Sequence, residues 1–187
     1  MSFRVFPKFR IAWLPVMFGY ALLGAAVASI YGILHDQVTY SISPEYFTKM
    51  KFHQFDYANF GWPRRVFVAE VCVLATWWVG FVAGWFMARI LVPAIGAGTR
   101  LIMRGMAVMF AVAFAGSATG FLLGLRRVHD PNMDNWIAYH AALGIDDLKG
   151  FVEVAYIHNA SYIGGLCGLL VALIYLWRSA KAKGVSG

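Results

Sequence analysis

The chain has 187 residues, 60% hydrophobic and 13% charged, and its mean hydropathy of +0.64 excludes an ordinary water-soluble domain. A formal net charge of +7 arises from basic residues flanking apolar runs. Such residues meet anionic lipid headgroups, so the expected partner is a lipid bilayer and not nucleic acid. The two cysteines, Cys72 and Cys167, each lie inside an apolar run, which indicates small packing residues and neither a disulfide framework nor a zinc knuckle.

A helix needs about 20 mostly apolar residues to cross the hydrocarbon core. Four stretches meet this, at 11–34, 66–92, 101–125 and 151–177. The expected fold is therefore all-α, a single membrane domain built as a four-transmembrane-helix bundle. In the first stretch Arg4, Lys8 and Arg10 precede an apolar run that reaches Ala26-Val27-Ala28, which imitates a secretory signal with its cleavage site. Because the run continues to Leu34, a retained helix is expected.

The first long link, 35–65, contains a helix start. Ser43 can cap, Pro44 suits the first helical position, and Glu45 complements the positive end of the helix dipole. A helix from Pro44 to Tyr57 follows. It carries Tyr46, Phe47, Met50, Phe52 and Phe55 among Lys49, Lys51 and His53, a composition suited to a membrane-surface anchor or to a lid over the bundle. The stretch from His35 to Phe47, reading His-Asp-Gln-Val-Thr-Tyr-Ser-Ile-Ser-Pro-Glu-Tyr-Phe, resembles a segment of uncharacterised bacterial four-helix membrane proteins. The resemblance covers about a tenth of the chain and implies no activity.

Further along, a short link near Pro93-Ala94-Ile95-Gly96 joins the second and third stretches. In the second long link, 126–150, Asp134 can cap a helix from Asn135 to Leu143 that Gly144 ends. Small residues recur every four positions: Ala21 and Ala25, Gly80 and Gly84, Gly116, Gly120 and Gly124, Gly164 and Gly168. Such spacing lets helix backbones approach closely in lipid. Packing within one bundle is the simpler expectation, and a homo-oligomer or larger membrane complex, using the face with three glycines, is the alternative.

The alternation of link lengths puts both long links on one side and both termini on the other. Nine Lys and Arg residues fall on the terminal side and seven on the long-link side, and all nine acids fall on the long-link side. The basic residues set topology, so the expected arrangement is a cell-membrane protein with cytoplasmic termini.

All five histidines, His35, His53, His129, His140 and His158, share the side of the acids. His35-Asp36 follows the first span and His129-Asp130 the third. Glu70 and Glu153 lie near the starts of the second and fourth, which suggests a parallel repeat of two hairpins. An ionised group near the membrane centre costs about 2.5–3.5 kcal/mol, so Glu70, Glu153 and His158 should face the bundle interior. One account is a rim network in which Arg64, Arg65, Arg126 and Arg127 neutralise the acids. The sharper account is a ligand or transition-metal site drawn from His35, Asp36, Glu70, His129, Asp130, Glu153 and His158, since imidazole and carboxylate suit zinc, iron or copper.

Several chemistries fit less well. Glu153 and His158 are five apart, about 140° around a helix, unlike the Glu-x-x-His spacing of di-iron bundles. His158 is expected about 10 Å inside the membrane while His35 and His129 sit at its rim, a mismatch for haem. No context for a catalytic serine exists. A transporter or channel subunit, or an assembly subunit without chemistry, remains as an alternative class, although no polar stripe continues through the terminal-side halves of the spans.

Overall fold

In a computed structural model, residues 10–96, 98–130 and 134–184 are described. Arg4 and Lys8 lie outside them, as do the side chains of Asp134 and Lys183. All regular elements among the described residues are helical. They are α1 (Leu14–Ile42), α2 (Pro44–Tyr46), a π-helical segment (Phe47–Lys51), α3 (Phe52–Gln54), α4 (Arg64–Ile95), α5 (Thr99–Arg127), α6 (Asp134–Leu143) and α7 (Leu148–Gly184). Short 3-10 turns, Ile11–Trp13 and Asp56–Ala58, precede α1 and follow α3.

The four long helices are each apolar over a membrane-spanning length, so the chain is a multi-pass integral membrane protein. Each helix runs beyond its apolar run. At the end of α1 the polar residues are zipped to the start of α4. Gln37 donates to the Arg65 carbonyl at 2.8 Å, and the Arg65 guanidinium donates to Gln37 Oε1 at 3.0 Å and Ser41 Oγ at 3.1 Å. Those bonds let α1 continue eight residues past Leu34 to Ile42. Helix α4 likewise runs through Pro93 to Ile95, and the turn falls at Gly96, whose φ of +74° suits glycine.

The helices form two antiparallel pairs, α1 with α4 and α5 with α7. Glycines set both crossings. Gly80 opposes Gly24, and Gly84 opposes the Tyr20 carbonyl. In the other pair Gly116, Gly120 and Gly124 meet Ala160, Tyr156 and Glu153, while Gly164 and Gly168 meet Val112 and Met109. At these positions the neighbouring backbone occupies the place of a Cβ, and close contact supplies the attraction that burial from water supplies in soluble proteins.

Large side chains, including Met17, Met87, Leu91, Ile102 and Leu176, fill the terminal-side half of the bundle. A second core forms at the opposite end, where the links fold over the helices: Tyr40, Tyr46, Phe47, Val68, Ile145 and Phe151 pack together. The expected helix from Pro44 to Tyr57 is thus interrupted by a π turn and lies over the bundle. Ser43 makes no capping bond. Glu45 instead ties the two links together, accepting from the N–H groups of Asp146 at 3.0 Å and Asp147 at 2.6 Å, just ahead of α7. Asp147 in turn accepts from Gly150 N–H at 3.0 Å, as a capping residue does.

Substituting Glu45→Ala leaves those two N–H groups without their carboxylate. Water can reach these exposed groups, so the expected cost is about 0.5–1.5 kcal/mol, concentrated where the links fold over the helices. Hydrogen exchange should rise at residues 44–54 and 144–150 while the interior of α4 and α5 keeps its protection. Unchanged exchange in both links would contradict this role.

Candidate metal centre

His35 lies seven residues before the end of α1 and His158 ten residues after the start of α7, about 10 Å and 15 Å from those helix ends. The extension of α1 is what removes the expected depth mismatch. Both imidazoles lie below the rim, with ring centroids 4.8 Å apart and planes at 82°. His129, paired with His35 in the sequence pattern, instead stands exposed at the end of α5.

Among the described residues, His35, Asp36 and His158 form the cluster of potential metal ligands, with one donor atom from each lying within 4.8 Å of the others. His35 Nδ1 is 2.9 Å from Asp36 Oδ1. His158 Nε2 is 3.8 Å from that same oxygen, too long for a hydrogen bond, and 3.2 Å from Thr39 Oγ1. The other nitrogen, His158 Nδ1, is 3.3 Å from the Tyr162 hydroxyl. His35 and Asp36 side chains are 12% and 13% exposed and that of His158 is 2% exposed, so water competes weakly for all three.

An ionised carboxylate only accepts hydrogen bonds, so His35 donates through Nδ1. In the neutral ring its Nε2 then carries the lone pair, and that atom is buried with no hydrogen-bond partner among the described residues. The pair can therefore serve a metal in two ways: with Asp36 as the carboxylate that orients a ligating Nε2, or, once the ring proton moves to Nε2, with Nδ1 and Asp36 as adjacent ligands.

Aromatic residues close the site. Tyr46 stacks on His158 with centroids 4.8 Å apart and planes at 29°, and Phe47 meets the same ring edge-on at 6.0 Å. Burial, reinforced by nearby Tyr162 and Asp36, pushes the Tyr46 phenol above its ordinary pKa, so it stays neutral. Lys51 lies beside the Tyr46 ring, its Nζ 5.9 Å from the centroid. Burial pulls the Lys51 ammonium below its ordinary pKa, and the charge of Asp36 opposes that shift.

The remaining candidates lie elsewhere. Asp130 pairs with Arg127 at 2.6 Å on the same turn. Glu153 packs against Gly124. Glu70 is half-buried on α4, with Oε2 buried and unpartnered among the described residues, and is not part of the cluster. His53 and His140 are exposed.

Thr39, Tyr46, Lys51 and Tyr162 are residues of the site that sequence reasoning did not select. One signal was available: Tyr162 follows His158 by four residues, and so shares its helix face. Tyr46 and Lys51 reach the site only because the link folds back over the bundle.

No family model, curated protein or solved structure matches the chain.

Proposed function

We propose that this membrane protein binds a divalent transition-metal ion through His35, Asp36 and His158, and presents it to a lipophilic molecule within the bilayer. The observation that carries this reading is the buried convergence of His35, Asp36 and His158, one donor atom from each lying within 4.8 Å of the others. Two imidazoles and a carboxylate suit zinc or iron(II), and three protein ligands leave coordination positions open to a substrate. A bound ion would supply Lewis-acid or redox chemistry. The chain's own residues would orient His158, through Tyr162 at Nδ1, and exclude water, through Tyr46 and Phe47. Large side chains fill the terminal-side half of a single chain, which favours a site over a transport path. The Lys and Arg count favours cytoplasmic termini, which supports a centre toward the outer leaflet.

Elemental analysis of the detergent-purified chain tests the reading. Roughly one equivalent of metal is expected, retained in His53→Ala and His140→Ala. Loss of even a second-shell partner costs about 10–100-fold in affinity, so His35→Ala and His158→Ala, as direct ligands, should lose the metal outright while keeping their helical circular dichroism. Parent protein that stays metal-free after incubation with zinc, iron(II) and copper overturns the proposal.

A further inference from the structure

Between the two helix pairs lies a cavity of about 490 Å³, within the range of about 300–1,000 Å³ usual for small-molecule sites. Its cause is compositional. Small residues, Ala28, Gly32, Ala75, Ala113 and Gly165, face it from all four long helices, while the bulkier Met17, Met87 and Leu176 fill the bundle beyond it. The cavity begins at His35, Asp36 and His158 and reaches Ala28, eight residues back along α1, or about 12 Å. Val79 and Leu166, which also line it, are exposed on α4 and α7, so it communicates with the lipid-facing surface.

Among the described residues one cation, Lys51, and one carboxylate, Asp36, line this largely apolar space, both at the end where the histidines lie. Its ammonium contacts the Tyr46 ring and makes no ion pair among the described residues. The neighbouring carboxylate, Asp36, is already engaged by His35. A partly buried ammonium held by no direct ion pair, with only the more distant charge of Asp36 to offset its burial, is a costly group, and an anion entering the cavity would relieve that cost.

We propose that the cavity binds a long-chain carboxylate, its anionic head at Lys51 beside the His35–Asp36–His158 cluster and its alkyl chain between the two helix pairs. The proposal deepens the metal-site reading by naming the class of lipophile, because a divalent ion bound beside Lys51 adds positive charge for the same head. The cavity and Lys51 are nevertheless independent of any metal. The two ligands should bind with mutual enhancement, each raising the affinity for the other.

The probe is a sixteen-carbon fatty acid carrying a diazirine in its chain, photo-crosslinked to the full chain in mild detergent and mapped by peptide mass spectrometry. Adducts are expected on the cavity-facing turns of α1, α4, α5 and α7. Lys51→Ala should weaken the half-saturating concentration by roughly tenfold or more, and Lys51→Arg should largely restore it. Gly165→Leu should block the chain, and it suits this purpose because a Cβ at Gly165 meets nothing within 4 Å; unchanged helical circular dichroism checks that the fold is kept. Hexadecanol and phosphatidylglycerol should compete poorly.

Adducts scattered over the lipid-facing surface, no effect of Lys51→Ala, or equal competition by hexadecanol or phosphatidylglycerol would each overturn the proposal. Repeating the titration on chelator-treated protein and on His35→Ala separates the two readings. Saturable, Lys51-dependent labelling in protein that never binds metal retains the carboxylate site and rejects the metal. Stoichiometric metal without such labelling does the reverse.

Discussion

Gly24→Ala and Gly80→Ala are each expected to destabilise the chain by about 3 kcal/mol or to prevent stable insertion. A Cβ on Gly24 collides with the Gly80 carbonyl, and one on Gly80 collides with the Gly24 carbonyl and Ala28. Both obstacles include backbone, which no rotamer change can clear, so α1 and α4 must separate along their crossing. Separation forfeits dispersion contacts over several turns, and lipid returns nothing equivalent because its tails are as apolar as the side chains they would touch. The control lies in the same helix: Gly19 has open space around its Cβ direction. Gly19→Ala should be neutral or stabilising by up to about 1 kcal/mol, from helix propensity alone. Unfolding monitored by circular dichroism during titration of a mild-detergent sample with a denaturing detergent checks both directions. Equal midpoints for Gly19→Ala and Gly24→Ala would exclude a close α1–α4 crossing.

The second large effect is expected at the roof. Tyr46 is 5% exposed and packs on His158, Phe47 and Phe151, with centroids 4.8, 5.7 and 5.3 Å away. Truncating a buried aromatic ring to alanine costs about 3–5 kcal/mol. Here the loss falls on the closed state of the link more than on the four spans, which keep their own crossings. Each 1.4 kcal/mol removed from that closed state raises the open population tenfold. In chelator-treated protein, carbethoxylation of His158 should therefore accelerate at least tenfold in Tyr46→Ala. The exposed His53 and His140 serve as internal references whose rates do not change. Tyr46→Phe keeps the ring and should react like the parent. A His158 rate that is the same in Tyr46→Ala and the parent would mean that the link does not control access to the site.

These two expectations also mark where the sequence was informative. Spans of about 20 apolar residues follow from composition, because an unpaired backbone in hydrocarbon forces helix. The alternating link lengths put the histidines and acids on one side. Glycines at four-residue spacing pointed to faces of close approach, although Gly24, which opposes Gly80, stood outside the spacing that singled out Ala21 and Ala25. Gly144, expected to end the helix of the second long link, follows α6 with φ +60°.

The sequence by itself thus determined a four-span helical membrane protein with its acids and histidines gathered at one end, since hydropathy and helix periodicity are local properties. Tertiary structure alone decided which of those groups meet. Gln37, Ser41 and Arg65 prolong α1 past its apolar run, and this sets His35 level with His158. Packing of the two helix pairs brings His158 to the neighbouring His35 and Asp36 and leaves His129 at the surface. The π turn and the Glu45 bridge fold Tyr46 and Lys51 over the cluster. Each depends on contacts between residues far apart in the chain, more than a hundred positions for Thr39 with His158 and for Glu45 with Asp147. No local pattern encodes such pairings, because their free energy exists only once separate helices have come together.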